Sequence, residues 1–285
     1  MSDGRPTVRQ RRLGLELRQL RHGLGWTLSR AAERLDMRLS SLSKIETGRQ
    51  RVRTRELPAF FDAYGLVDPA RREAITHLAR EALKRNWWQG FEGVVSDPYA
   101  DYLSLEGSAS EIAVFNPLVV PGLLQTQTYA RELTEASRVW STLDEVDRFV
   151  ELRMKRQELL TGEHPPRYWV ILSELSLRQE VGGKAVLRDQ VAHLIDTAVR
   201  LPHVTVQVVP YDAGAHSGSD GGFALMRFAV GSEVVCLESM RASLYLEEPG
   251  DIAIYAATLD HLKSSALSVR DSMAFMKTLC EDLER

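Results

Sequence analysis

Cysteine is almost missing from this chain: Cys236 and Cys280 are the only two in 285 residues. So few, so far apart and without metal-ligand spacing, they exclude a disulfide framework or a cysteine-based metal site and read as two reduced thiols. No apolar run approaches the roughly 18 residues of a membrane span, so no membrane contact is expected. The opening stretch MSDGRPTVRQRR carries charge but no apolar core behind it, and does not read as a signal peptide. The glycine-rich stretch GAHSGSDGG matches neither GxGxxG nor GxxxxGK[ST], so a nucleotide fingerprint is lacking there. A cytoplasmic protein without metal or cofactor is the expectation.

What the chain does have is a divided charge. Residues 1–90 carry 19 Lys and Arg against 10 Asp and Glu, a net of +9, whereas residues 91–285 carry 17 against 29, a net of −12. Before residue 56 the count is 14 basic to 5 acidic. A solvated basic surface would give the same numbers, but charge segregated in this sense suits a polyanion. The length allows two domains.

Helical spacing of Leu13, Leu17, Leu20 and Leu24 predicts a first amphipathic helix, ended by Gly23 and Gly25. Thr27 is placed to cap a second, with Leu28, Ala31, Ala32 and Leu35 inward. After Asp36 to Leu39 comes a third, whose inner face is Leu39, Leu42 and Ile45 and whose stop is Gly48. Helices four and five follow in RELPAFFDAYGL and DPARREAITHLAREAL, the latter with Asp68 as cap and Pro69 in the first turn. Two short helices joined by a tight turn inside a helical bundle form a helix-turn-helix, expected within a domain of residues 1–85. Helix three has small or polar outer residues and a cationic exit, as an element entering a major groove requires.

The stretch TLSRAAERLDMRLSSLSKIETGR resembles the Cro/repressor-type (XRE) helix-turn-helix family, above all in its K-I-E-T-G ending. The resemblance implies a pair between Arg21 and Glu46. It departs from the family at Leu28, where a phosphate-binding glutamine is usual, at Asp36, where glycine is usual, and at Arg38, where a small N-cap is usual. On this reading base contacts fall to Leu39, Ser40, Ser43 and Lys44, and phosphate contacts to Thr27, Ser29, Arg38, Arg49, Arg51 and Arg53.

Past residue 85 the pattern changes. NWWQGFEGVVSDPYADYLSLEG reads as the boundary of a second domain, residues 86–285, with Trp87 and Trp88 as interface anchors or, alternatively, a stacking surface for bases. An extended piece at EIAVFN precedes a helix beginning near Leu123, and DEVDRFVELRMKRQELLT gives another, with Val146, Phe149, Val150 and Leu152 on its apolar face. RYWVILSE, KAVLRDQVAHLIDTAVRLP and TVQVVP predict a β-α-β unit. FALMRFA, EVVCLES and SLYLEE predict an antiparallel meander, and two helices close the chain. The expected class is an all-α bundle followed by an α+β domain with a mixed, mostly antiparallel sheet of about five strands.

The ordered elements VPGLLQTQTYAREL, LRMKRQELL, LSELSLRQEVGG, VQVVPYDAGAH and SDGGFALMRF resemble a family of actinobacterial regulators. In that family a Cro-type helix-turn-helix precedes a domain of unknown function. The resemblance implies an antitoxin-like transcriptional regulator that binds double-stranded DNA and is encoded beside a small partner protein.

Gln125, Glu174, Arg178 and His216 are the candidates for a ligand or partner pocket, with Glu238 at a strand end as a further carboxylate. His216 has no evident nucleophile beside it, so no enzyme is expected. Gly218, Gly221 and Gly222 read as a hairpin turn. A homodimer on a near-palindromic operator at the nucleoid, its acidic domain receiving a protein or small-molecule signal, completes the expectation.

Overall fold

The computed structural model describes residues 7–83, 87–229, 233–238 and 243–284. The chain divides into two compact units, one made of Met1–Gln89, Tyr99–Ser108 and Phe228–Ser232, the other of Gly90–Pro98, Ala109–Arg227 and Glu233–Arg285. The sequence boundary between residues 85 and 86 falls in 84–86, outside the described residues.

The first unit begins with α1 (Val8–Gly23), α2 (Leu28–Arg34), α3 (Leu39–Glu46), α4 (Leu57–Ala63) and α5 (Pro69–Leu83). Local signals account for their limits. Thr7 and Gln10 close a capping box at α1, Thr27 Oγ1 accepts from Arg30 N at α2, and Asp68 Oδ1 accepts from Ala70 N beside Pro69 at α5. Each of the first four helices ends in the paired 6→1 and 5→2 bonds of a Schellman motif. At α1 these are Trp26 N to Arg21 O and Gly25 N to His22 O, and at α3 Arg49 N to Lys44 O and Gly48 N to Ile45 O. The left-handed position is filled by Gly25, Gly48 and Gly65 and, at the end of α2, by Asp36 with φ 49°. Aspartate tolerates that conformation, so the departure from glycine at 36 leaves the turn intact.

The core of this unit gathers Leu13, Leu17, Ala31, Ala32, Leu42, Ile45, Phe60, Phe61 and Ile75. Two residues expected inside are not there. Leu24 is 43% exposed, because as C-cap it lies beyond the last turn that faces the bundle; Leu39 is 49% exposed, because it sits at the first position of α3, ahead of the buried Leu42 and Ile45. The stretch read as a boundary contains a further helix, α6 (Asp97–Glu106), with Tyr102, Leu103 and Leu105 buried.

The second unit is built on one mixed sheet: β1 (Glu111–Asn116), β2 (Arg167–Ser173), β3 (Val204–Val209), β4 (Phe223–Arg227), β5 (Val234–Glu238) and β6 (Ser243–Leu246), six strands among the described residues where about five were expected. The spatial order is β3-β2-β1-β4-β5-β6. β1, β2 and β3 run parallel, with Val114 opposite Val170 and Val170 opposite Val206; β4, β5 and β6 continue antiparallel. Parallel neighbours need crossovers. These are α7 (Gln127–Ala136) with α8 (Leu143–Arg156) between β1 and β2, and α9 (Glu174–Arg178) with α10 (Lys184–Arg200) between β2 and β3. α7 starts at Gln127 rather than near Leu123, because Thr126 Oγ1 caps it by accepting from Tyr129 N, while Gly122–Leu124 forms a separate 3₁₀ turn. The closing helices are α11 (Pro249–Ser265) and α12 (Val269–Leu283). Alternation along the strands sends Ala113, Phe115, Ile171 and Leu225 to the face covered by Leu259 and Leu262 of α11. Cys236 is buried in β5 and Cys280 lies in α12; neither is in a disulfide.

Ser239, the last residue of the expected fifth strand, lies outside the described residues. The stretch GAHSGSDGG is not a hairpin: it joins β3 to β4, which β2 and β1 separate in the sheet. Gly218 instead allows the loop to lie against β1, since a Cβ there would stand 2.3 Å from the Phe115 ring.

Candidate nucleic-acid interface

α3 turns one face inward and leaves the other bare. Leu42 is fully buried and Ile45 nearly so, while Ser40, Lys44 and Thr47 are exposed and Ser43 half-buried. Positions 40, 43, 44 and 47 recur at three- and four-residue spacing, so they share one side of the helix. Leu39 adds an exposed apolar side chain at its start. Arg38 is the N-cap but makes no side-chain cap, which leaves its guanidinium in solvent with those of Arg49, Arg51 and Arg53. Thr27 and Ser29 are exposed in the first turn of α2. Thr47, absent from the residues named above, belongs to the same stripe. Its signal was its spacing of four from Ser43, and its hydroxyl donates to the Ser43 carbonyl at 2.8 Å.

The helix is held from behind by Arg21. Its Nε donates to Glu46 Oε1 at 2.7 Å, its Nη2 to Glu46 Oε2 at 2.8 Å and its Nη1 to the Trp26 carbonyl at 2.7 Å. One guanidinium therefore ties α1, the loop before α2 and α3 together. Burial, aided by the Glu46 carboxylate and opposed by Arg21, pushes the Tyr64 phenol up to about 12, so the ring stays neutral beside the pair. The close crossing needs glycine twice. A Cβ on Gly14 would stand 2.4 Å from the Ile45 carbonyl oxygen, and one on Gly48, with φ 71°, would stand 2.7 Å from Arg11 N.

Cations in this unit fall into two sets. Arg9, Arg12 and Arg21 are buried, Arg9 donating to the Ser104 carbonyl and Arg12 lying over the Phe228 ring. Arg11, Arg71, Arg72 and Arg80 pair with Asp101, Glu16, Asp62 and Glu73. Burial pushes the Glu16 carboxyl up, against the pull of Arg71 and Arg12. In contrast Arg30, Arg34, Arg38, Lys44, Arg49, Arg51, Arg53 and Arg55 are exposed and make no ion pair among the described residues. All of these lie on α2, on α3 or on the segment leaving α3; Arg18 on α1 is exposed as well, its Nε donating to His22 Nε2 at 3.4 Å. The net of +9 thus overstates the available footprint, but what remains is concentrated where the helix-turn-helix is. Trp87 is partly exposed, with Trp88 buried edge-on to it at 5.5 Å.

The candidate pocket of the second unit is not drawn together as one cluster. Glu174 and Arg178 do meet: Arg178 Nε donates to Glu174 Oε1 at 2.5 Å, and Glu174 Oε2 accepts from Tyr211 N at 2.9 Å. His216 lies edge-on to Phe115, its Nδ1 accepting from Gly218 N. Glu238 ends β5, exposed. Gln125 is buried elsewhere, donating to the Val120 carbonyl and accepting from Arg153 Nη1. It belongs to a buried irregular segment whose backbone groups are met by side chains. Gln157 donates to the carbonyls of Gly122 and Gln125, while Gln190 accepts from Thr126 N and donates to the Leu124 carbonyl. Buried main-chain groups must find partners, and here glutamines supply them. Among the described residues no group of three or more His, Cys, Asp or Glu is placed to hold a metal ion, and no helix is long and apolar enough to cross a membrane.

The model of a helix-turn-helix domain matches residues 12–75, which contain α2, α3 and the Arg21–Glu46 pair. That of a domain of unknown function (DUF5753) matches residues 99–278, more than half the chain. The chain belongs to the DUF5753 family. No curated protein and no solved structure matches it. DNA binding and transcription regulation are the function that the helix-turn-helix domain gives it, and the DUF5753 domain contains the whole six-stranded sheet.

Proposed function

We propose that the chain is a sequence-specific transcriptional regulator of the Cro/repressor (XRE) type, whose α3 reads base edges in a major groove. The observation that carries this reading is the outward stripe of Leu39, Ser40, Lys44 and Thr47 with the half-buried Ser43, flanked by exposed cations that make no ion pair among the described residues. Serine hydroxyls and the Lys44 ammonium suit the donor and acceptor pattern of the groove, and Leu39 suits a thymine methyl. Thr27, Ser29, Arg38, Arg49, Arg51 and Arg53 set the register on phosphates.

The DUF5753 domain has no catalytic part in this proposal. Its Glu174 carboxylate is already engaged by Arg178 and by Tyr211 N, and His216 Nδ1 by Gly218 N. Its role is to dimerise the chain and receive a signal or a protein partner. In an antitoxin-like regulator, the reading drawn from the five ordered motifs of this domain, that partner is a small protein and DNA binding serves autoregulation; stable co-purification with such a protein would favour it.

The test is a titration on a preferred duplex and a scrambled duplex at several salt concentrations. Ser40→Ala and Lys44→Ala relax sequence preference, whereas Arg51→Ala weakens binding to both duplexes alike and lowers the salt slope by about one. Equal effects of all three changes on both duplexes would show that α3 is not the reader.

A further inference from the structure

We infer that Trp26 and the two arginines set over it, Arg30 and Arg34, form a second phosphate-binding strip that runs along α2 beside the reading helix. The inference rests on the DNA-binding reading above and adds three residues to it.

Arg30 and Arg34 stand one helical turn apart on the exposed side of α2, and both guanidiniums lie over the Trp26 indole, at 5.2 and 5.8 Å from the ring. Like charges four residues apart on a helix repel. Here no carboxylate offsets them, since neither arginine makes an ion pair among the described residues. A structural role would call for such a partner, as Arg71, Arg72 and Arg80 of α5 have in Glu16, Asp62 and Glu73. A pair of cations held together without one is arranged for an anion that comes from outside.

The indole determines what kind of anion. A guanidinium held over an aromatic ring has lost part of its rotamer freedom and still carries N–H donors for a bidentate acceptor. Two such groups, about 6 Å apart along the helix, suit a line of doubly accepting groups. The phosphates of one DNA strand are such a line. The strip continues from Thr27 and Ser29, which open the same helix, and in a helix-turn-helix this first helix crosses the sugar–phosphate backbone.

Trp26 also couples the strip to the reader. Its carbonyl accepts from Arg21 Nη1, the same guanidinium that grips Glu46 at the end of α3, and its ring stands edge-on to Tyr64 at 6.1 Å. The platform under Arg30 and Arg34 is therefore fixed relative to α3, so phosphates held by the strip set the register in which α3 meets the bases.

The experiment measures binding of the full chain to two duplexes, one selected for highest affinity from a random pool and one scrambled, between 50 and 200 mM salt. The double variant Arg30→Gln with Arg34→Gln binds both more weakly by the same factor. Its salt slope falls by about 1.8, so the wild-type ratio of affinities across that range shrinks about twelvefold. Trp26→Leu keeps the wild-type slope, because both charges remain, and loses several-fold in affinity that Trp26→Phe largely restores; melting curves establish that each variant is folded. A double variant with the wild-type slope overturns the strip and leaves DNA binding standing. A double variant that loses sequence preference overturns the assignment to phosphates. A wild-type chain that binds neither duplex removes the reading on which the strip depends.

Discussion

Arg21 and Glu46 form a two-bond pair between α1 and α3, at 2.7 and 2.8 Å, with side chains only 7% and 5% exposed. A pair so enclosed is costly to half-remove, because the surviving charge has no water to replace its partner. Glu46→Gln leaves Arg21 charged and uncompensated, and a loss of about 3–5 kcal/mol in unfolding free energy is expected, with weaker DNA binding as α3 loses its anchor. Chemical denaturation and a duplex titration measure both. An unchanged melting temperature together with unchanged binding would sink the assignment of the pair as the support of α3.

Much of this region was legible because it is governed by local chemistry. Thr27 and Asp68 announce helix starts, Gly25 and Gly48 announce stops, and Asp36 is among the few residues able to stand in for glycine at the turn. Burial of individual cations was not legible, since Arg9 and Arg12 look in sequence like any solvated arginine. Leu39 shares the spacing of Leu42 but lies at the first position of α3, before the helix reaches the core. α6 was hidden because its buried Tyr102, Leu103 and Leu105 follow a run of glycine, tryptophan and proline. In the second domain the β-α-β unit and the meander were visible as periodicity, and Leu123 and Leu124 enter the core as their place after Pro121 and Gly122 suggests, whereas the glutamines that satisfy this loop were not visible. A buried loop is stabilised by groups distant in sequence, and Gln190 lies 64 residues from Thr126.

That loop gives the second prediction. Gln190 is fully buried and serves one backbone donor and one backbone acceptor, at 2.7 and 2.6 Å. Gln190→Leu keeps the volume but orphans both, at about 1–3 kcal/mol each. A total loss of about 2–6 kcal/mol is expected, with faster hydrogen exchange at the Thr126 amide. Stability within 0.5 kcal/mol of wild type, roughly the range of an uninvolved surface change, would show that the loop finds other partners.

The third concerns acid. Burial pushes the Glu111 carboxyl up, but the guanidiniums of Arg167 and Arg227 outweigh it and hold the group below the usual carboxylate range. A folded pKa below the unfolded one makes the contribution to stability complete above the unfolded value, about 4.3, and lost as pH falls through the lowered folded value. Wild type therefore loses stability on acidification below about pH 4.3. Glu111→Gln removes this part of the dependence, so the gap between variant and wild type, measured by melting from pH 7 to pH 2.5, narrows as the pH drops. A gap constant across that window counts against the assignment.

The last concerns assembly. One helix-turn-helix covers about half of a site, and specific affinity usually takes two, one helical turn apart on the duplex. The exposed cations of α2, α3 and the segment after α3 repel their counterparts on a second copy, so the two-fold contact is placed in the acidic DUF5753 domain, within a region, residues 91–285, of net charge −12. A homodimer on a near-palindromic site is the expected state. Sedimentation of the full chain at tens of micromolar reads twice the 32.1 kDa of one copy, and footprinting shows two protected half-sites about 10 base pairs apart. Dilution to monomer raises hydrogen exchange in segments of residues 109–227 and 243–284 and leaves α1 to α5 unchanged. A chain that sediments as a monomer and protects a single half-site, or whose exchange changes only in α1 to α5, contradicts this placement of the contact.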